Sequence, residues 1–126
     1  MKMANHTLLY LGSVFVTIWG TAHLFPTKSI IRGFGNIASD NRRIIAMEWI
    51  IEGVTLIFLG LLVSIATYLD SSNVVSRAVY WLCFIMLNTL SMISFFTGFR
   101  IRLLPFKLCP LIFSTASALI LIGGCL

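Results

Sequence analysis

Two glutamates and one histidine are the residues of this chain with the clearest capacity for chemistry. Glu48 and Glu52 are four positions apart inside a long apolar run, and His23 lies near the end of an earlier run. On a helix, a spacing of four places both carboxylates on one face, one turn apart. Carboxylates and an imidazole suit proton exchange, binding of a polar headgroup, or acid–base chemistry on a lipophilic substrate. His23 and Glu52 are therefore the candidate catalytic residues.

Four further side chains could join them in a ligand site. Trp49 lies beside the glutamates, and Trp19 lies about one helical turn before His23. Asn88 falls near the middle of a third apolar run, where an asparagine is expected mostly to bond across helices and less often to hold a substrate. Arg100 follows that run. We predict a ligand-binding set of Trp19, His23, Glu48, Trp49, Glu52, Asn88 and Arg100.

The composition places these residues in a membrane. Hydrophobic residues make up 59% of the 126 and charged residues only 10%, and the mean hydropathy is +1.00. A water-soluble domain of this size cannot cover so much apolar side chain. The length supplies about four spans of about 20 residues each, with no room for a soluble domain. The sequence therefore predicts an all-α fold: a single-domain, polytopic integral membrane protein with a bundle of four transmembrane helices.

Apolar runs separated by turn-forming or basic segments define the predicted spans. They cover residues 8–25, 44–69, 74–99 and 108–126. The first run lacks a small-x-small cleavage pattern and is predicted to remain as a span. Residues 27–43 form an interfacial connection in which apolar and charged residues alternate, as in a short amphipathic helix. This connection is expected to anchor the chain to anionic headgroups or, alternatively, to form a lid over a cavity.

The distribution of basic residues predicts the orientation of the spans. With four spans, both termini lie on one side, together with only Lys2 and Arg77. The other side holds Lys28, Arg32, Arg42, Arg43, Arg100, Arg102 and Lys107. The positive-inside rule then predicts a multi-pass protein of the cell membrane with both termini on the non-cytoplasmic side. It also brings His23, the two glutamates and Arg100 to the cytoplasmic end of the bundle.

Small residues and the remaining candidate sites have simpler interpretations. Gly53 and Gly60, and likewise Ser91, Ser94 and Gly98, form stripes that favour close helix packing or dimerisation.

The three cysteines are isolated, so they form neither a redox pair nor a metal cluster. The two histidines lie at opposite ends of the first span and cannot hold one haem within a monomer. No metal site is predicted, because His23 is the only histidine near the glutamates.

Two segments carry a family resemblance. Residues 20–26, GTAHLFP, end the first span, and residues 52–60, EGVTLIFLG, continue the second. This pair of motifs resembles the DoxX-like four-helix membrane proteins, and the resemblance covers about the first 65 residues. It implies a role like that of subunits of quinone-linked oxidoreductases or of assembly factors for membrane proteins. Within it, Glu52 and then His23 are the residues that the resemblance implies to be functional.

Three classes of function remain open at this stage. The first is a binding or accessory protein that holds a lipid or quinone-like ligand, as a homodimer or within a larger membrane complex. The second is a membrane enzyme that uses Glu52 and His23, and the third is a proton-coupled transporter or channel with Glu52 and Asn88 on its path. A purely structural role is the alternative, with Glu52 paired to His23 or Arg100. Nucleic acid is excluded as a partner because the basic residues flank membrane ends and no phosphate-binding loop is present.

Overall fold

The computed structural model describes residues 4–125, which form helices joined by short turns, with no strand in that range. Its five helices are α1 (His6–Leu24), α2 (Thr27–Gly33), α3 (Ser39–Asp70), α4 (Val74–Gly98) and α5 (Leu104–Cys125). All but α2 are long and apolar enough to cross a membrane. The predicted all-α fold and its four long apolar helices are confirmed. Lys2, and residue 126 at the end of the predicted fourth span, lie outside the described residues.

Two helices begin earlier than their apolar runs. α3 starts at Ser39 rather than at 44, since the polar residues before the run continue the helix and Asp40 in its first turn suits the helix dipole. α5 starts at Leu104 rather than at 108, because Pro105 is tolerated in the first turn, where no backbone donor is needed. Hydropathy marks where a helix becomes apolar, and these two helices begin before that point.

The four long helices alternate in direction and form a ring. α1 packs closely against α3 and α5, and α4 packs closely against α5. The ring closes between α3 and α4, which are the neighbours with the least contact. One end of the bundle contains the C-terminal ends of α1 and α4 with the N-terminal ends of α3 and α5. We call it the α2 end, because α2 also lies there.

Glycines bring α1 and α3 together. A Cβ on Gly20 would lie 2.8 Å from the carbonyl oxygen of Gly53, which is closer than real contacts allow. A Cβ on Gly60 would overlap Thr17 and the backbone of α1. Gly53 and Gly60 of the predicted stripe therefore serve helix packing within the chain. Of the stripe on α4, Ser91 also serves packing, since its hydroxyl donates to the carbonyl oxygen of Pro110 at 2.8 Å, whereas Ser94 and Gly98 line a cavity.

The end of the bundle near the chain termini is filled with side chains. Tyr80 is fully buried there against Gly124, and its hydroxyl lies 3.1 Å from that of Thr67. Leu9 is also fully buried in this core. The interior is therefore closed at this end, whereas the α2 end retains a cavity.

The predicted interfacial connection contains α2. Ile30 is buried, while Lys28 and Arg32 are exposed. Gly35 follows with φ +76°, in the left-handed region that glycine adopts without strain. The chain thereby turns from α2 into the start of α3 and carries Phe34 to the edge of the cavity.

Candidate functional site

Trp49 joins the end of α1 to α3. Its indole Nε1 donates a hydrogen bond of 2.6 Å to the carbonyl oxygen of His23. That carbonyl belongs to the last turn of α1, whose carbonyl groups have no partner within their own helix. The indole also stacks on the His23 ring, with centroids 3.7 Å apart and planes 14° from parallel. These two contacts fix the position of the imidazole.

The imidazole faces a carboxylate across a short gap. His23 Nε2 lies 3.5 Å from Glu52 Oε2, and the His23 side chain is 1% exposed whereas that of Glu52 is 33% exposed. The separation exceeds that of a good hydrogen bond, and Nε2 is buried without a hydrogen-bond partner among the described residues. A buried polar nitrogen without a partner is uncommon and requires an explanation.

Both groups line a cavity of about 490 Å³ at the α2 end of the bundle. Its walls are mainly the facing sides of α3 and α4, where the ring of helices is least tightly closed. Met86 and Leu90 contribute apolar surface from α4, and Phe106 contributes to the wall of the cavity from α5. The volume is within the usual range for binding sites of small molecules, which combine apolar walls with a few polar groups.

The cavity opens sideways between α3 and α4. Ile51 and Ile93 line it from the two helices, and they are 51% and 54% exposed on the outer surface. Phe34, which follows α2, also lines the cavity and is 40% exposed. The opening is therefore bordered by apolar side chains on the surface that would face lipid.

The charge of the lining is one-sided. Glu48 and Glu52 are its only charged residues in the described part of the chain, and neither lysine nor arginine contributes to it. Thr55, Ser94 and Thr97 add hydroxyl groups. Besides the Trp49 indole, which already donates to the His23 carbonyl oxygen, and the Cys109 thiol, the polar side-chain groups of the lining are thus two carboxylates, three hydroxyls and one imidazole.

Of the seven predicted ligand-binding residues, four line this cavity. His23, Glu48, Trp49 and Glu52 come together, with Glu48 exposed and Trp49 buried. Trp19 does not line it; it packs against the core, and its Nε1 is buried without a hydrogen-bond partner in the described structure.

Asn88 and Arg100 lie elsewhere. The expected cross-helix bond of Asn88 is replaced by one within α4, where its Nδ2 donates to the carbonyl oxygen of Phe84 at 2.9 Å. Arg100 is exposed in the turn after α4, and the carboxylate of Glu52 lies near His23 instead. A count of residues along a helix predicts how far along the bundle a side chain lies. It does not predict whether that side chain points toward the cavity, because this depends on how the helix is rotated against its neighbours.

Several lining residues were not predicted. Met86, Leu90 and Thr97 lie on one face of α4, at spacings of four and seven that are visible in the sequence. Phe34 and Cys109 give no comparable signal, because their positions depend on the turn after α2 and on the packing of α5. No group of three metal-ligating side chains occurs in residues 4–125.

Comparisons of the chain with protein families, with curated proteins and with solved structures find no match. The DoxX-like resemblance therefore stays a prediction, and the function is argued from the cavity.

Proposed function

We propose that this chain is a multi-pass integral membrane protein that binds a lipid or quinone-like ligand in the cavity between α3 and α4. One observation carries the proposal: His23 Nε2, buried and without a hydrogen-bond partner in residues 4–125, lies with the Glu52 carboxylate at an otherwise largely apolar cavity. A ligand with a polar head and an apolar body would give Nε2 a partner and cover the walls.

The position of the opening supports a ligand that comes from the bilayer. Ile51 and Ile93 border it on the outer surface of two helices that are apolar enough to cross a membrane. A lipophilic molecule dissolved among the acyl chains would enter sideways, with its body between α3 and α4 and its head at Glu52. An accessory role in a larger complex, as the DoxX-like resemblance implies, is compatible with this binding.

A substitution that fills the cavity tests the proposal. Ser94→Trp places an indole on the α4 wall, while Thr89→Trp places the same ring on an exposed position of α4 that does not line the cavity. We expect wild type and Thr89→Trp, purified in mild detergent, to retain a small lipophilic molecule by native mass spectrometry, and Ser94→Trp to retain none. A wild-type protein without bound molecule, or equal retention by Ser94→Trp, would contradict the proposal.

Acid–base catalysis on the bound molecule is the second candidate. It is favoured by the position of His23 Nε2 and Glu52 Oε2, which lie 3.5 Å apart at one cavity and would both face the same bound molecule. The same preparations test it: a ligand held in deuterated water would gain deuterium on carbon with wild type and not with Glu52→Gln. Equal deuterium incorporation with wild type and with Glu52→Gln would contradict catalysis by Glu52 and leave ligand binding as the proposal.

A further inference from the structure

The head of the bound molecule can be assigned a chemical class from the polar atoms of the cavity. This inference rests on the proposed binding function and goes further, because it selects among lipophilic ligands. We infer that the site takes an uncharged alcohol or phenol, whose hydroxyl group bridges His23 Nε2 and the carboxylate of Glu52.

The charge of the lining excludes anionic heads. Glu48 and Glu52 are negative, and no lysine or arginine lines the cavity in the described part of the chain. A carboxylate or phosphate placed between apolar walls would face like charge without a compensating cation, which is costly in a low dielectric. Fatty acids and phospholipid phosphates are therefore poor ligands at this point.

A Glu52 carboxylate oxygen and His23 Nε2 require opposite hydrogen-bonding roles from the head of the ligand. The Glu52 carboxylate only accepts hydrogen bonds, so the ligand must donate to it. His23 Nε2 faces the Glu52 carboxylate, which is an acceptor, so this geometry favours a proton on Nε2, and a ligand at this point then accepts from Nε2. A hydroxyl group does both at one oxygen atom, and a carbonyl group does only one.

The distance between the two atoms suits a single bridging oxygen. Nε2 and Oε2 are 3.5 Å apart, so an oxygen atom about 2.8 Å from each lies within hydrogen-bond range of both. The Glu52 side chain is a third exposed and has room to adjust to the bridge, while His23 is fixed by Trp49. Among quinone-like molecules, this geometry favours the reduced quinol over the oxidised quinone.

A matched series of probes tests the inference. para-Dodecylphenol, para-dodecylanisole, para-dodecylbenzoate and para-dodecylbenzylamine share one apolar body and differ in the head. Each is added at the same mole fraction to nanodiscs with the wild-type protein, and bound probe is counted by native mass spectrometry, with empty nanodiscs as the partition control. We expect the phenol to bind about tenfold more tightly than the anisole, as loss of one hydrogen bond to a charged group implies, and the benzoate to bind less than either.

Two variants test whether the preference for the phenol over the anisole depends on Glu52. Glu52→Leu is expected to bring the phenol and the anisole to within about twofold of each other. Asp70→Leu removes the exposed carboxylate at the opposite end of α3 and is expected to keep the full difference. The binding of the phenol and of the anisole to the wild-type protein tests the inference even if Glu52→Leu fails to fold.

The outcomes separate this inference from the proposed function. If the anisole or the benzoate binds as well as the phenol, or if the amine binds best, the hydroxyl bridge is wrong while ligand binding in the cavity stands. If none of the four probes binds and Ser94→Trp changes no retained molecule, both proposals fail.

Discussion

At the scale of single residues, Trp49 organises the site. It donates to the carbonyl oxygen of His23 and stacks on the same residue's ring, so one side chain holds both the end of α1 and the imidazole. The local sequence indicated a polar site by its glutamates. It contained no sign that the tryptophan beside them would bind the histidine.

Replacement of Trp49 by phenylalanine should separate these two contacts. Trp49→Phe keeps a ring to stack on His23 but loses the 2.6 Å hydrogen bond and part of a buried side chain, so we expect the free energy of unfolding to fall by about 1 to 3 kcal/mol. Thermal unfolding in detergent measures the change. Trp81→Phe is the control, because Trp81 lies half-exposed on α4 with only an edge contact to Phe84. Equal losses in the two variants would contradict the role given to Trp49.

The pairing of His23 with Glu52 was partly predictable. The charge distribution placed both at one end of the bundle, and the structure places them 3.5 Å apart. Asn88 and Arg100 were expected at the same site, and both lie outside the cavity lining. Their level followed from counting residues, but the faces that they occupy depend on tertiary packing that a single sequence does not express.

At the scale of helices, the glycine contact between α1 and α3 fixes the spacing on one side of the ring. Gly20 meets the backbone of α3 directly, and backbone atoms have little freedom to withdraw. The apolar runs made the four long helices predictable. Which helices touch most closely was indicated only in part, through the small residues of α3 and α4.

Alanine at Gly20 should therefore destabilise the protein although alanine favours helices. Its Cβ would lie 2.8 Å from both the Gly53 carbonyl oxygen and Leu56 Cβ, so we expect Gly20→Ala to lose about 1 to 3 kcal/mol of stability. The matched control is Gly33→Ala at the end of α2, where the nearest atoms are Leu103 methyl groups at 3.5 and 3.7 Å. Thermal unfolding that shows Gly20→Ala to be no less stable than Gly33→Ala would contradict the close contact.

At the scale of the whole molecule, the length of α3 and the position of the charges bear on how the bundle sits in a bilayer. α3 has 32 residues, which is about 48 Å and exceeds an apolar core of about 30 Å. Its first turns, with Arg42 and Arg43 exposed, would extend beyond that core at the α2 end. The orientation predicted from the basic residues places this end in the cytoplasm and both termini on the other side.

Single cysteines can test that orientation. Asn36→Cys lies in the exposed connection at the α2 end, and Ser72→Cys lies in the exposed turn between α3 and α4. In intact cells, a membrane-impermeant maleimide should label Ser72→Cys and leave Asn36→Cys unlabelled until the membrane is permeabilised. Cys125 is replaced by alanine in both, because it is the one native cysteine in the described residues that is not buried. The reverse labelling pattern would overturn the proposed topology.

The side chains that fill the bundle near the chain termini limit how molecules can reach the cavity. Among the described residues, Tyr80 fills the interior against Gly124, so the cavity is closed toward that end and opens between α3 and α4 near the α2 end. In a bilayer, such a chamber would exchange molecules with one leaflet alone. Under the proposed function, its occupancy would then follow the lipid composition of that leaflet, even where the total lipid content of the membrane is unchanged.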